Sequence, residues 1–265
     1  MEQHHYQYIY GPVTSWRLGK SLGIDPVSTD EKTCSFNCVY CQAGRTTVLT
    51  VERKVFVPTE ALIRELRALP EMEIDSITFA GNGEPTLAKN LGEMIRAVRG
   101  IREEKIAVIT NASLIDRKDV QEDLVLADLV EAKLDVCSAD SLQKVNHPSA
   151  EIVWEAIVTG LKTFRKIYQG HLNLQIMFVA GNQADAADIA RAALGIGADE
   201  IEINTPLRES PVKPLSPAEI GKVTDIFRST CGTAVKVRSV YEEKREKSEP
   251  FCRRATERRR GKEPE

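Results

Sequence analysis

The feature that most constrains the fold is a repeated alternation of short apolar segments with amphipathic ones, from residue 58 to residue 240. The apolar segments have the length of strands, and the segments between them carry apolar residues at helical spacing. Strands that alternate with helices at this spacing form right-handed βαβ units in a parallel sheet. The chain is therefore predicted to be an α/β protein.

The individual elements are predicted from these periodicities and from the prolines and glycines that interrupt them. The predicted helices cover 58–69, 91–100, 117–126, 151–168, 185–194 and 217–229. The predicted strands cover 76–80, 106–110, 129–136, 172–179, 200–204 and 235–240. A short strand around Ile24 is expected before them, and a hairpin is expected around 47–56.

Side chains alternate between polar and apolar in three predicted strands, which places the two kinds on opposite faces. The polar face carries Glu131, Lys133, Asp135 and Cys137, then Asn173 and Gln175, then Glu202 and Asn204. A strand of a doubly wound sheet is covered by helices on both faces and should be apolar throughout. The pattern therefore favours a partial (β/α)6 TIM-type barrel with a polar interior. Solvent-facing strands of an ordinary sheet are the alternative.

The chain has 265 residues, a length that a single α/β barrel domain can have. We assign the barrel to 1–240, with an initial segment at 10–33 and a cysteine loop at 34–41. Residues 241–265 are dense in charges of both signs and are expected to form a flexible tail, with a phosphate-binding arm as the alternative. The net charge of -3 gives no global reason to expect a nucleic acid, so such a partner would need local basic patches.

The sequence also indicates the cellular compartment. The amino terminus has no basic segment followed by an apolar core, and no later stretch is apolar enough to cross a membrane. Six cysteines, three of them in one loop, are typical of a reducing compartment with metal chemistry rather than of a secreted disulfide framework. We therefore expect a cytoplasmic protein without a membrane partner. Nothing in the sequence indicates its oligomeric state.

Cys34, Cys38 and Cys41 place three thiols within eight residues. Thiolates are soft ligands, so this loop suits iron–sulfur or zinc chemistry. A structural zinc site needs four protein ligands, whereas a cubane cluster held by three cysteines leaves one iron open. The other cysteines are scattered and are expected to be small buried side chains or free thiols. They are Cys137, Cys231 and Cys252.

A second motif, the turn Gly81-Asn82-Gly83-Glu84-Pro85, follows the predicted strand 76–80. Together with the cysteine loop, this turn resembles the hallmarks of the radical S-adenosylmethionine (SAM) superfamily. Four segments are similar to the branch related to wyosine synthetases, which build a tricyclic base on tRNA. They are Tyr10-Gly-Pro-Val, Arg17-Leu-Gly-Lys-Ser-Leu-Gly-Ile-Asp-Pro, Lys32-Thr-Cys-Ser-Phe-Asn-Cys-Val-Tyr-Cys-Gln and Gly81-Asn-Gly-Glu-Pro-Thr-Leu.

The resemblance implies cofactors and a reaction. Cys34, Cys38 and Cys41 would each bind one iron of a single 4Fe-4S cluster, and the fourth iron would bind SAM. Reduction of the cluster would cleave SAM to methionine and a 5′-deoxyadenosyl radical, which would abstract a hydrogen atom from the substrate. A reducing partner such as flavodoxin or ferredoxin is expected, and tRNA is one candidate substrate.

The resemblance also implies which residues contact SAM. The turn glycines would let the backbone approach the ammonium group, where Glu84 would add charge, and Tyr40 would lie near the adenine. Strand parity places Asn111, Lys133 and Asp135 to reach the ribose or carboxylate, with polar contacts inside the barrel as the alternative. The predicted cofactor residues are Tyr40, Gly81, Asn82, Gly83, Glu84, Pro85, Asn111, Lys133 and Asp135. Gln175, Glu202 and Asn204 are candidates to face the substrate, and no catalytic residue is assigned.

Two other functions stay open. A glycyl-radical activating enzyme would use the same cysteine spacing and act on a partner protein. A zinc-stabilised binding module would complete the three cysteines with a remote ligand such as Cys252 or His147. The sequence contains no Ser/His/Asp arrangement and no phosphate-binding P-loop, so nothing in it indicates a hydrolase or an NTPase.

Overall fold

The computed structural model describes residues 6–243 and 248–260. The strands in these ranges are β1 Ile9–Ser15, β2 Gly19–Ile24, β3 Thr33–Cys34, β4 Val48–Leu49, β5 Ser76–Phe79, β6 Lys105–Thr110, β7 Leu129–Lys133, β8 His171–Met177, β9 Glu200–Asn204 and β10 Lys236–Ser239. The helices are α1 Thr59–Arg67, α2 Leu91–Arg99, α3 Lys118–Leu124, α4 Ala139–Val145, α5 Trp154–Ile167, α6 Ala186–Leu194, α7 Pro217–Cys231 and α8 Arg253–Arg260. None of the described helices is both long and apolar enough to cross a bilayer.

One large sheet organises the molecule, with the strand order β1-β2-β5-β6-β7-β8-β9-β10. Strand β1 is antiparallel to β2, and every later pair in the order is parallel. Each parallel strand lies beside the one that precedes it in this series, so right-handed crossovers place their helices on one face. A doubly wound sheet would instead reverse its order at a switch point. The α/β prediction is confirmed, and the strand order is that of a partial TIM-type barrel.

Both faces of the parallel strands are buried. The apolar parity carries Val130 on β7, Leu174 on β8 and Ile201 on β9, each 0% exposed. The polar parity is buried as well, since Glu131 and Glu202 are 0% exposed. The alternative of solvent-facing strands is therefore wrong. These polar residues form an interior, and their charges must find partners there.

Two elements near the amino terminus differ from the prediction. The hairpin expected around 47–56 is wrong, because β4 pairs in parallel with β3 through Thr33–Val48 and Cys34–Leu49. The local sequence suggested a partner close in the chain, whereas the actual partner lies 15 residues earlier. A hairpin does occur before the cysteine loop, where β1 and β2 pair from Ile9–Ile24 to Ser15–Gly19.

Helix α8 lies in the segment expected to be a flexible tail. Residues 253–260 are helical and pack against β1, with Ala255 and Thr256 buried and Arg259 only 3% exposed. Residues 244–247 and 261–265 of the predicted tail lie outside the described part of the chain. The sequence prediction considered only the high charge density of this segment and missed Ala255 and Thr256, the two small buried residues that dock the helix on β1. The flexibility of the tail stays a prediction.

Candidate functional site

The cysteine loop is held by the connection between α4 and α5. The Val39 amide donates to the Val145 carbonyl at 3.0 Å, and the Asn37 amide donates to the Asn146 carbonyl at 2.9 Å. Farther along, the Ser149 amide donates to the loop at 2.9 Å, through the carbonyl of the residue after Cys34. These contacts include an antiparallel bridge between Phe36 and Pro148, which lies outside the main sheet. They fix the path of the loop backbone.

Each of the three cysteine sulfurs has a nitrogen donor beside it. The pairs are Lys32 Nζ with Cys41 Sγ at 2.8 Å, Asn146 Nδ2 with Cys38 Sγ at 3.4 Å, and Asn111 Nδ2 with Cys34 Sγ at 3.7 Å. The donors come from the segment before the loop, from the end of α4 and from the end of β6. Donors around a sulfur favour its anionic form, which is the form that binds metal.

The protein alone keeps two of these thiols protonated. Burial and the charge of Glu84 raise the pKa of Cys34 to about 12. Burial and the charge of Asp135 raise the pKa of Cys38 to about 11. A bound metal replaces the thiol proton, so metal binding would release protons here.

The chemistry of this donor set fits an iron–sulfur cluster. The described residues contain no group of three His, Cys, Asp or Glu side chains placed as ligands of one metal ion. A cubane needs each cysteine on a different iron, and it accepts hydrogen bonds at its sulfurs. Cys34, Cys38 and Cys41 with their three nitrogen donors match that requirement.

The turn at 81–85 follows β5 and packs against Thr33, the residue before Cys34. A Cβ at Gly83 would lie 2.0 Å from the carbonyl oxygen of Thr33, so only glycine permits this approach. A Cβ at Gly81 would lie 2.1 Å from Cγ of Asp25. The two sequence motifs are therefore in contact.

Glu84 joins this turn to the end of β6. Its carboxylate accepts hydrogen bonds from Thr110 Oγ1 at 2.6 Å, from the Asn111 amide at 2.7 Å and from Thr86 Oγ1 at 2.7 Å. The side chain is buried, and burial raises the pKa of Glu84 against these hydrogen bonds, which lower it. Pro85 begins the 3-10 turn Pro85–Leu87 that follows. The predicted contact of Glu84 with SAM stays a prediction.

Tyr40, Lys133, Asp135 and Asn146 form a second group beside Cys38, which we call the upper layer. Asp135 accepts hydrogen bonds from the Tyr40 hydroxyl and from Asn146 Nδ2, the latter at 3.0 Å. Lys133 Nζ lies 3.3 Å from Asp135 Oδ1 and 4.9 Å from the centroid of the Tyr40 ring. The structure thus brings together three predicted cofactor residues, of which Tyr40 comes from the cysteine loop and the other two from the end of β7.

Asn111 belongs to the same end of the barrel. Its Nδ2 donates to Ser35 Oγ at 2.8 Å, next to Cys34. One cavity is lined by Asn111, Lys133 and Asp135 among other residues, and Asn146 also contributes to its wall. This cavity is small and its other walls are mostly apolar, Leu142 and Ile157 among them, so the contacts of Asn111, Lys133 and Asp135 with SAM stay predictions.

A third group lies deeper in the barrel, and we call it the lower layer: Arg17, Glu131, Asn173, Gln175 and Glu202. Arg17 Nη1 lies 2.5 Å from Glu131 Oε2 and 3.2 Å from Glu202 Oε2. Asn173 Nδ2 donates to Glu202 Oε1 at 3.0 Å, and the Gln175 amide lies between Arg17 and Lys133. Burial and the charge of Glu131 raise the pKa of Glu202 well above its ordinary value.

The three residues suggested to face substrate thus have different surroundings. Gln175 and Glu202 are both in the lower layer and contact Arg17. Asn204 ends β9 and accepts a hydrogen bond from the Thr205 amide at 2.9 Å. Their predicted role toward substrate stays a prediction.

Sequence reasoning gave no role to three residues that the structure places at these groups. Lys32 has a local signal, because it stands two residues before Cys34. Arg17 lies inside a quoted segment, but nothing in that segment shows that it enters the barrel. Asn146 has no local signal, since its partner Cys38 is 108 residues away.

A family model of the radical SAM superfamily matches residues 32–193, which is more than half of the chain. The chain belongs to the radical SAM superfamily. The matched range includes the cysteine loop, the Gly81–Pro85 turn and the upper layer. This radical SAM protein is also 42% identical to the UPF0026 protein of Synechocystis sp. over 206 residues. The aligned region covers 77% of each chain. The superfamily implies a 4Fe-4S cluster and SAM.

Two solved structures have a similar fold. Streptococcus suis SuiB bound to the precursor peptide SuiA has a TM-score of 0.63 at 14% identity, over 84% of this chain and 50% of that chain. Archaeal TYW1 has a TM-score of 0.58 at 17% identity, over 79% of this chain and 72% of that chain. At these identities the similarity concerns the fold.

Proposed function

We propose that this protein binds one 4Fe-4S cluster through Cys34, Cys38 and Cys41 and cleaves SAM reductively to start a hydrogen abstraction. The observation that carries the proposal is that all three sulfurs of one loop have nitrogen donors, directly beside the Gly81–Pro85 turn. When bound, the cluster supplies the electron that breaks the carbon–sulfur bond of SAM.

The side chains around the loop prepare it for an anionic ligand set. The Lys32 ammonium group contacts Cys41, and the Asn111 and Asn146 amides point hydrogens toward the other two sulfurs. Partners of this kind orient metal ligands and tune the metal.

SAM binding is proposed at the carboxyl ends of the barrel strands, next to this loop. The turn around Gly83 brings backbone groups close to the loop, where they can bond to an ammonium group. Lys133 offers a positive charge for a carboxylate, and Asn111 offers an amide. The carboxyl ends of barrel strands are where catalytic and binding groups gather in this type of fold.

For the substrate, we propose a nucleic-acid base, with tRNA as the first candidate. The support is the resemblance of four segments to wyosine synthetases, together with the fold similarity to archaeal TYW1. Helix α8 also exposes Arg253, Arg254 and Arg258, which would suit a phosphate backbone. A protein or peptide substrate is the second candidate, because the similar SuiB structure contains a precursor peptide.

The cofactor proposal is tested by anaerobic reconstitution with iron and sulfide. We expect a brown protein that releases 5′-deoxyadenosine when SAM and dithionite are added, measured by liquid chromatography. A zinc-stabilised binding module would stay colourless. The proposal fails if the protein takes up zinc alone and releases no 5′-deoxyadenosine with reductant present.

The substrate is tested by two parallel incubations of the reconstituted protein, one with pooled tRNA and one with a proteome digest. A tRNA enzyme should produce nucleosides of altered mass, and its RNA affinity should fall steeply between 50 and 200 mM salt, by about 10³-fold for six phosphate contacts. An altered peptide without altered nucleosides would favour the second candidate.

A further inference from the structure

Helix α8 carries one arginine that is unlike its neighbours. Arg259 is 3% exposed, whereas Arg253 and Arg254 on the same helix are exposed. Its guanidinium group donates to Ser28 Oγ at 2.7 Å and to the carbonyl of Gln7. Its Nε lies 3.4 Å from Asp25 Oδ2. A guanidinium group this deeply buried needs an anionic partner, and Asp25 provides it.

Asp25 stands directly after β2 and is 1% exposed. Its Oδ1 accepts a hydrogen bond from the Val27 amide at 3.2 Å, and its own amide donates to the Tyr8 carbonyl at 2.8 Å. Burial raises the pKa of Asp25, and the charge of Arg259 acts in the opposite direction. Asp25 is thus fixed between Tyr8, which directly precedes β1, and Val27, which lies in the segment that leads to the cysteine loop.

The same carboxylate touches the turn at 81–85. The Asn82 amide donates to Asp25 Oδ2 at 3.3 Å, which is the oxygen that faces Arg259. Gly81 lies so close to Asp25 that a Cβ there would be 2.1 Å from Cγ. One oxygen atom therefore connects the carboxy-terminal helix to the turn.

We propose that Arg259 is a positioning residue for SAM, acting through Asp25 on the Gly81–Pro85 turn. The inference rests on the proposed function, because SAM is the ligand. The contacts from Arg259 through Asp25 to the Asn82 amide are present in the protein without cofactors. An unpaired, buried carboxylate would draw in water or move toward solvent. Either change removes the acceptor of the Asn82 amide and loosens the turn.

Arg259 is not needed merely to hold α8 in place. The Phe251 amide donates to the Gly11 carbonyl at 2.8 Å, and the Gly11 amide donates to Thr256 Oγ1 at 3.0 Å. Thr14 Oγ1 donates to Ser248 Oγ at 2.8 Å. These contacts with β1 would remain in an Arg259 variant, so the effect on the turn can be separated from undocking of the helix.

The test compares Arg259→Met with Arg254→Met, a matched change on the exposed side of α8. Hydrogen exchange of the protein without cofactors should rise about tenfold at Asn82 and its neighbours in Arg259→Met, and stay unchanged in Arg254→Met. Arg259→Lys keeps the charge and should restore most of the protection. Exchange that rises only within 253–260 would overturn the proposal.

SAM binding to the reconstituted protein is the second measurement, by isothermal titration. Arg259→Met and Asp25→Asn should each raise the Kd of SAM about tenfold. The double variant should not exceed the larger single effect, because both residues act on one contact. Additive effects would overturn the proposal. If the unaltered protein binds no SAM, the proposed function fails, while the exchange measurement still decides whether Arg259 orders the turn.

Discussion

The upper and lower layers are both polar groups of the barrel interior and each takes a residue from β7, yet they differ in what they contact. In the lower layer, the hydrogen bonds of the Arg17 side chain go to other members of that layer. In the upper layer, Asn146 donates both to Asp135 and to Cys38, which belongs to the cysteine loop. One layer neutralises itself, and the other is connected to the proposed cofactor site.

Strand parity therefore identifies which residues line the interior of the barrel, but not what each of them contacts. Glu131 and Asp135 stand four residues apart on the same face, and parity alone does not distinguish them. The turn between β1 and β2 supplies Arg17 to the first, while the cysteine loop supplies Tyr40 to the second. We therefore expect lower-layer changes to affect stability and upper-layer changes to affect cofactor binding.

The largest effect is expected from Cys38→Ala, which removes one cluster ligand next to the upper layer. Cluster assembly and release of 5′-deoxyadenosine should both be abolished, measured by iron content and chromatography. Cys252→Ala is the control and should retain both, because Cys252 lies outside the loop. SAM cleavage by Cys38→Ala would contradict the ligand assignment.

Arg17→Met should be the next most severe change. It leaves Glu131 and Glu202 buried without their cation, and breaking a buried ion pair costs about 3–5 kcal/mol. Urea unfolding measures this loss, with the exposed Arg64→Met as the control. A loss below about 1 kcal/mol would show that the lower layer does not depend on its arginine.

Lys133→Met probes the upper layer. If Lys133 contacts the carboxylate of SAM, the Kd should rise about tenfold, which corresponds to about 1.4 kcal/mol. Asp135 keeps its donors Tyr40 and Asn146, so the stability loss should stay smaller than that of Arg17→Met. The exposed Lys162→Met is the control in titration calorimetry. An unchanged Kd would mean that Lys133 contacts only residues of the barrel interior and not SAM.

Glu202→Gln should have the smallest effect at neutral pH, about 1 kcal/mol or less. The folded protein raises the pKa of Glu202 above the ordinary 4.5, through burial and Glu131, so the folded chain keeps a proton that the unfolded chain releases. The free energy of unfolding of the unaltered protein therefore falls as pH rises from 4.5 through the raised pKa.

Glutamine cannot ionise, so Glu202→Gln should lack this part of the pH dependence. Urea unfolding of both proteins at several pH values gives the difference directly. Parallel curves for the two proteins would mean that Glu202 is ionised in the folded chain and that the lower layer carries a net negative charge.

The sequence predicted those features that leave a local pattern. Alternating periodicities predicted the βαβ units, and spacing singled out Cys34 and Gly83. The partner of β4 was missed because pairing with Thr33 depends on the folded loop. Asn146 and Arg259 were missed because a buried polar contact between distant residues leaves no periodic signal. The long-range polar contacts of this barrel are therefore visible only in the folded structure.

The position of Arg17 has a consequence for how the protein is made. Its acidic partners lie 114 and 185 residues later in the chain. During synthesis at about 5–20 residues per second, Arg17 emerges many seconds before Glu202. The polar interior of the barrel thus cannot be completed until β9 has left the ribosome, and a nascent chain that stops earlier holds an Arg17 that lacks its contact with Glu202.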